Sequence, residues 1–240
     1  MLMLSQVFWA QSVFDKGNEH YRKGNYEGAV EAYESILKSK KESAEVYFNL
    51  GNAYYKLNRV APAIFNYEKA LLLNPGDTEI ANNLKFAQKL QIDDVKEVPK
   101  VGFSKMIEDV TSKVNYNTWA KFAIGGAVAV LLFFIGYYFS GTTLIKRLFF
   151  VMMFVGIAFI ALSIFAAIFQ KSTDDSERPA IVFAPVLLVK SEPQANAQDA
   201  FTLHEGTKVY VIEVLDNWRK VALADGNQGW VEQSAIKELK

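Results

Sequence analysis

Residues 17–33, GNEHYRKGNYEGAVEAY, return 34 positions later as residues 51–67, GNAYYKLNRVAPAIFNY. Gly17 recurs as Gly51, Asn18 as Asn52, Tyr21 as Tyr55, Ala29 as Ala63 and Tyr33 as Tyr67. A fixed period of this size marks stacked units that bury little alone and build a core by contact with their neighbours. In the second copy Leu50, Tyr54, Tyr67 and Ala70 carry the apolar seam of two packed helices, at i, i+3, i+4 spacing. Gly51 and Ala63 are small enough for those helices to approach closely, and Pro75 ends the second one because it cannot continue a helix.

The run Tyr47, Leu50, Gly51, Tyr54, Ala63, Tyr67, Ala70, Pro75 resembles the tetratricopeptide repeat (TPR) consensus. The first copy is looser, with His20 in place of Tyr54 and Lys41 in place of Pro75. His20 reads as a helix-face packing residue. A third helix, Thr78 to Gln91, is expected to cap the open end with Ile80, Leu84, Phe86, Ala87 and Leu90, giving an all-α TPR superhelix over residues 14–91. The resemblance implies a concave, peptide-binding face. Its positions are Phe14, Asn18, Tyr21 and Arg22, then Phe48, Asn52, Tyr55 and Lys56. Phe14 and Phe48 stand where the carboxylate-clamp subclass has a cation, which argues against capture of chaperone tails.

Beyond the repeat lie two apolar runs, Phe122 to Phe139 and Leu148 to Phe169. At about 1.5 Å per residue they reach roughly 27 and 33 Å, against a hydrocarbon core of ~30 Å, and predict a two-helix transmembrane hairpin within residues 119–169. A chain that crosses twice returns its ends to the same side. The connecting segment Ser140 to Arg147 carries Lys146 and Arg147 and no acid, so the positive-inside rule places it in the cytoplasm and both soluble parts outside. Neither run holds an ionisable residue in its interior, which disfavours transport. Trp119 and Tyr137-Tyr138 read as interfacial anchors, and the pairs Ala123/Ala127 and Gly125/Ala129 as the packing face. In the linker, residues 92–118, the stripe of Phe103, Met106, Ile107, Val110 and Val114 fits a helix lying in the membrane interface or a plain connector helix. Residues 1–13 read either as the remnant of a signal peptide, the preferred reading, or as the first helix.

Residues 178–240 change to period-two alternation. Ile181, Phe183, Val186 and Leu188, then Val209 and Val211, then Trp218, Val221 and Leu223, then Trp230 and Val231 mark five short strands of a small all-β barrel. Asp225-Gly226 predicts a tight hairpin. The segments Val189 to Pro193, Leu203 to Val209, Asn217 to Val221 and Leu223 to Val231 resemble the bacterial SH3 (SH3b) family. Glu232 to Ile236 lacks the Pro and Tyr of polyproline-binding relatives, which disfavours that ligand. Trp218 and Trp230 are the candidate surface contacts, though packing is their commoner use. His204 reads as a hairpin surface residue.

Composition narrows the function. The 26 basic residues balance 26 acidic ones, and with no phosphate-cradling loop this excludes nucleic acid as a partner. There is no cysteine, and the two histidines lie in different domains, so no metal site or cofactor is expected. No nucleophile–base order or carboxylate pair suggests an enzyme. The order of parts, with Asn117-Thr118-Trp119-Ala120 and Ala180 to Pro185, resembles the BatE-like family of Bacteroidetes aerotolerance proteins. That resemblance implies an inner-membrane protein working beside von Willebrand A-domain membrane proteins and a MoxR-type ATPase. The expected function is a membrane-anchored adaptor that binds protein partners outside the cytoplasm. The alternative is attachment to peptidoglycan through the SH3b domain.

Overall fold

The computed structural model describes residues 2–96 and 102–240, without the side chains of residues 2–11, 103, 104 and 174–176. Met1, the apolar side chains of the N-terminal stretch, and Val101 and the Phe103 side chain of the linker therefore lie outside the described residues. The chain divides into two compact units: Met1–Lys100 with Glu177–Lys240, and Val101–Ser176.

The first unit begins with five helices, α1 (Leu2–Arg22), α2 (Tyr26–Lys38), α3 (Ala44–Lys56), α4 (Val60–Leu73) and α5 (Thr78–Gln88). Three starts are capped by side chains that accept otherwise orphaned backbone N–H groups: Asn25 from Gly28, Ser43 from Val46, and Asp77 from Glu79 and Ile80. α4 stops at Leu73, two residues before Pro75. The helices meet over Tyr33, Leu50, Ile64 and Tyr67, with fully buried Ala29, Ala53, Ala61, Ala63 and Ala70 at the crossings. A Cβ on Gly51 would fall 2.8 Å from the Tyr67 ring, so only glycine allows this approach. On α5, Ile80, Leu84 and Ala87 are buried as expected. Phe86 and Leu90, assigned to the same cap from sequence, are instead 52% and 43% exposed: α5 packs on α4 and α3 with its Ile80, Leu84 and Ala87 face, and Leu90 lies beyond its end at Gln88.

The β domain has seven strands where alternation suggested five: β1 (Pro179–Val182), β2 (Val186–Lys190), β3 (Asp199–His204), β4 (Lys208–Leu215), β5 (Trp218–Ala222), β6 (Gln228–Glu232) and β7 (Ile236–Glu238). They form one antiparallel sheet in the order β3-β2-β6-β5-β4-β1-β7, and every strand supplies residues to one core. The Asp225-Gly226 hairpin is present, with Gly226 at φ +92°. The phase of the first two strands differs from the sequence reading. Leu187 and Val189, not Val186 and Leu188, enter the β core; the latter pair is 60% and 48% exposed. In β1 the β core takes Ala180 and Val182. Ile181 joins the core of the helical repeat together with Leu239, and Phe183 packs against it. β1 is thus apolar on both faces because it is buried on both.

The second unit holds α6 (Phe103–Thr111), α7 (Tyr116–Phe139) and α8 (Thr143–Ser176). α7 and α8 are long and apolar enough to cross a membrane. Their seam runs through Ala123 and Gly126, with Gly136 against Phe149 and Gly156 against Val130. Of the expected pairs Ala123/Ala127 and Gly125/Ala129, Ala123 is buried in the seam and Ala129 is half-buried beside α8, while Ala127 is exposed and Gly125, also exposed, lines the groove between the two helices. Lys146 and Arg147 lie on α8, because the helix starts at Thr143 and leaves a connection of residues 140–142. Trp119 donates its indole N–H to the Thr111 carbonyl at 3.0 Å, tying α7 to the end of α6. On α6, Met106 and Val110 are exposed while Lys105 pairs with Asp109 at 2.8 Å.

Candidate partner-binding site

The repeat carries a hydrogen-bond ladder with the period of the sequence. Asn18 Oδ1 accepts from the Tyr33 hydroxyl at 2.7 Å and from Asn49 Nδ2 at 3.2 Å. One repeat later Asn52 Oδ1 accepts from the Tyr67 hydroxyl at 2.7 Å and from Asn83 Nδ2 at 2.9 Å. Each asparagine is therefore held by the second helix of its own repeat and by the first helix of the next. Burial, with Tyr21 and Glu45 adding to it, pushes the Tyr33 hydroxyl up to about 12, and burial raises Tyr67 as well. Both phenols stay protonated at neutral pH and keep donating. With each Oδ1 occupied twice, the Nδ2 groups of Asn18 and Asn52 are oriented and left as donors.

These residues line a hollow of 260 Å³ with Tyr21, Arg22, Tyr33 and Asn49. Of the eight positions expected from sequence, Asn18, Tyr21, Arg22 and Asn52 meet there. Phe14 and Phe48 pack on the ladder tyrosines, with ring centroids 5.8 Å from Tyr33 and 6.0 Å from Tyr67. Tyr55 is half-buried and Lys56 exposed, both outside the hollow's lining. Asn49 and Asn83 were missed from sequence. They are also 34 residues apart, and extending the comparison beyond the first repeat would have found them.

The β domain packs on the repeat through a polar seam beside Ile181 and Phe183. Asp93 accepts the His204 N–H and the Thr207 hydroxyl, each at 2.6 Å on Oδ2, and its Oδ1 lies 2.7 Å from His204 Nδ1. His204 is therefore a contact between the two parts rather than a hairpin surface residue. Its strand points it at Asp93, which sequence spacing over 111 residues gave no means to see. Burial works to raise the Asp93 pKa, but the bonds from Thr207 and His204 outweigh it and hold the carboxyl below its ordinary value. Lys208 reaches Glu68 at 2.7 Å, and Gln91 Nε2 donates to the Gly206 carbonyl. Burial opposes the charge on Lys208; the Glu68 carboxylate prevails and raises its pKa. Gly206, at φ +90°, brings the hairpin backbone so near that a Cβ would lie 3.1 Å from Ile64 and Val60. Both halves of this seam lie in the same compact unit.

The two SH3 candidates divide. Trp230 is 8% exposed and belongs to the packing of the β domain, while Trp218 is half-buried on β5. Lys146 and Arg147 are exposed, with the Lys146 ammonium 5.9 Å from the Tyr137 ring centre. Among the described residues no cluster of His, Cys, Asp or Glu is placed to hold a metal ion.

Comparison with known families agrees with this architecture. Residues 17–58 match a TPR repeat family and residues 44–77 the tetratricopeptide repeat. No curated protein matches the chain. Residues 184–238 match the bacterial SH3 domain, so the chain joins TPR repeats, which point to protein–protein interaction, and two long apolar helices to a β domain of a binding family that is typically non-catalytic.

Proposed function

We propose that this chain is a non-enzymatic, membrane-anchored adaptor whose TPR hollow holds an extended segment of a protein partner. The observation that carries this reading is the repeated ladder. It presents two oriented amide donors, Asn18 and Asn52, one repeat apart, beside Tyr21 and the exposed Arg22. Donors at a regular spacing suit the carbonyls of an extended backbone, which any sequence supplies; flanking charges then select among partners. The two apolar helices anchor the molecule in the inner membrane. With Lys146 and Arg147 on the cytoplasmic side, both soluble domains face the periplasm. The family resemblance supports an aerotolerance-type envelope complex with von Willebrand A-domain membrane proteins and a MoxR-type ATPase.

Asn18 and Asn52 are poor test positions, because removing either also strips the Tyr33 or Tyr67 hydroxyl of its acceptor. Arg22 and Lys56 are exposed and outside the ladder. The double variant Arg22→Glu, Lys56→Glu, purified as the tagged full chain from native membranes, is expected to lose the co-purifying partner while keeping wild-type helicity. Undiminished recovery of the partner refutes the reading. The second reading, peptidoglycan attachment, is favoured by the SH3b match and the accessible part of Trp218. It predicts that the full chain sediments with purified peptidoglycan and that Trp218→Ala abolishes this.

A further inference from the structure

The repeat and the β domain together line a second, open cavity, of 720 Å³, within the usual range for ligand sites. Four lysines line it: Lys38 and Lys69 from α2 and α4, Lys237 from β7, and Lys240. Two carboxylates, Glu34 and Glu238, face them, and both are engaged elsewhere. Glu34 accepts the Tyr54 hydroxyl and lies only loosely against Lys38 at 3.9 Å. Glu238 is bound by Arg178 at 2.8 Å and Arg219 at 3.5 Å. Lys69 has a similarly loose contact, 3.9 Å, with Glu42. Lys237 forms no ion pair among the described residues. Its ammonium stands 4.3 Å from the Phe65 ring centre and 5.7 Å from that of Phe183, one ring from each part of the unit. Burial against these rings pushes its pKa down; Glu34 acts against that shift and Lys69 adds to it. Lys237, with no ion pair among the described residues, and the loosely paired Lys69 therefore bring cationic charge to this cavity that a ligand anion can meet more closely.

We propose that the cavity is a composite site for an acidic peptide segment of a partner protein, with a Glu or Asp side chain of the ligand between Lys237 and Lys69. The walls decide between a peptide and a free anion. Leu37, Pro62 and Phe65 offer apolar surface that an inorganic phosphate would leave wet and that a neighbouring side chain of a peptide would cover. The site needs both parts of the unit, since neither Lys237 nor Phe183 belongs to the repeat. It is separate from the hollow around Asn18 and does not rest on the adaptor reading of that hollow.

The test uses the full chain in uncharged detergent micelles and a fluorescein-labelled hexapeptide of alternating glutamate and leucine, followed by anisotropy. Binding is expected to weaken about tenfold in Lys237→Gln and in Lys69→Gln, the effect of losing one charge-assisted contact. Arg22→Glu with Lys56→Glu should leave it unchanged, and unaltered thermal melts of the lysine variants show that the fold is intact. Equal binding by wild type, Lys237→Gln and Lys69→Gln overturns the proposal. So does displacement of the peptide by equimolar inorganic phosphate, which would make this a free-anion site, or loss of binding in the Arg22/Lys56 variant, which would place the peptide in the other hollow.

Discussion

Replacing Asp93 by alanine removes all three bonds that this carboxylate accepts from the β domain, at 2.6, 2.6 and 2.7 Å. The side chain is 14% exposed, so solvent screens it little. A hydrogen bond to a charged group is worth about 1.5–3 kcal/mol net, but three bonds sharing one carboxylate do not add. Thr207, 2% exposed, and the His204 N–H would be left without acceptors, which raises the cost. The seam is therefore expected to weaken by about 3 kcal/mol in Asp93→Ala and by roughly half that in Asp93→Asn, which keeps one acceptor oxygen. Hydrogen exchange of the full chain in nanodiscs reads this directly, because the His204 amide is itself one of the donors. A loss of 3 kcal/mol is about a hundredfold faster exchange over residues 203–208, with α2 and α3 unchanged. The pH dependence has a definite sign. A carboxyl whose pKa is held below 3.8 in the folded chain binds fewer protons there than when unfolded, so its stabilisation is complete above 3.8 and fades as pH falls through the lower, folded value. Wild type should lose protection in that acid window, and Asp93→Ala should lose that part of the response. Exchange within threefold of wild type at neutral pH would refute the role given to Asp93.

Two further substitutions probe the packing. Gly51→Ala puts a methyl 2.8 Å from the Tyr67 ring and should destabilise the repeat by about 1–3 kcal/mol, seen as a lower melting temperature by circular dichroism at 222 nm. Lys208→Met leaves Glu68, whose side chain is 10% exposed, buried without its cation. It is expected to cost about 2–4 kcal/mol, and Glu68→Gln combined with Lys208→Met should recover a good part of that in denaturant titrations.

The repeat was legible because its period and its core coincide: Gly51, Ala63, Tyr67 and Pro75 do in the structure what their residue types demand. The hairpin was legible from length and apolarity, but its seam was not, since apolar sequence offers many small pairs and only the packing selects Ala123 and Gly126. The β domain shows why alternation can be read in the wrong phase. Ile181 in β1 and Phe183 just after it are larger apolar residues than Ala180 and so dominate the alternation, yet they face the repeat while Ala180 and Val182 fill the β core. β3 escaped notice because only Leu203 along it is buried. Of the hollow, four of eight expected residues converge; the two phenylalanines serve the ladder tyrosines instead. The seam of Asp93, His204, Lys208 and Glu68 had no sequence signature, because its partners lie more than 100 residues apart and each is an ordinary surface type.

The most direct measurement places a photo-crosslinking amino acid at Tyr21, beside Asn18 and Arg22 in the hollow, and in a control at the exposed Glu31. After irradiation of cells expressing the full chain, the adaptor account predicts one protein adduct of defined mass from position 21, none from position 31, and its loss when Arg22→Glu is added. Equal labelling from both positions, or adducts to lipid or peptidoglycan alone from position 21, would contradict it.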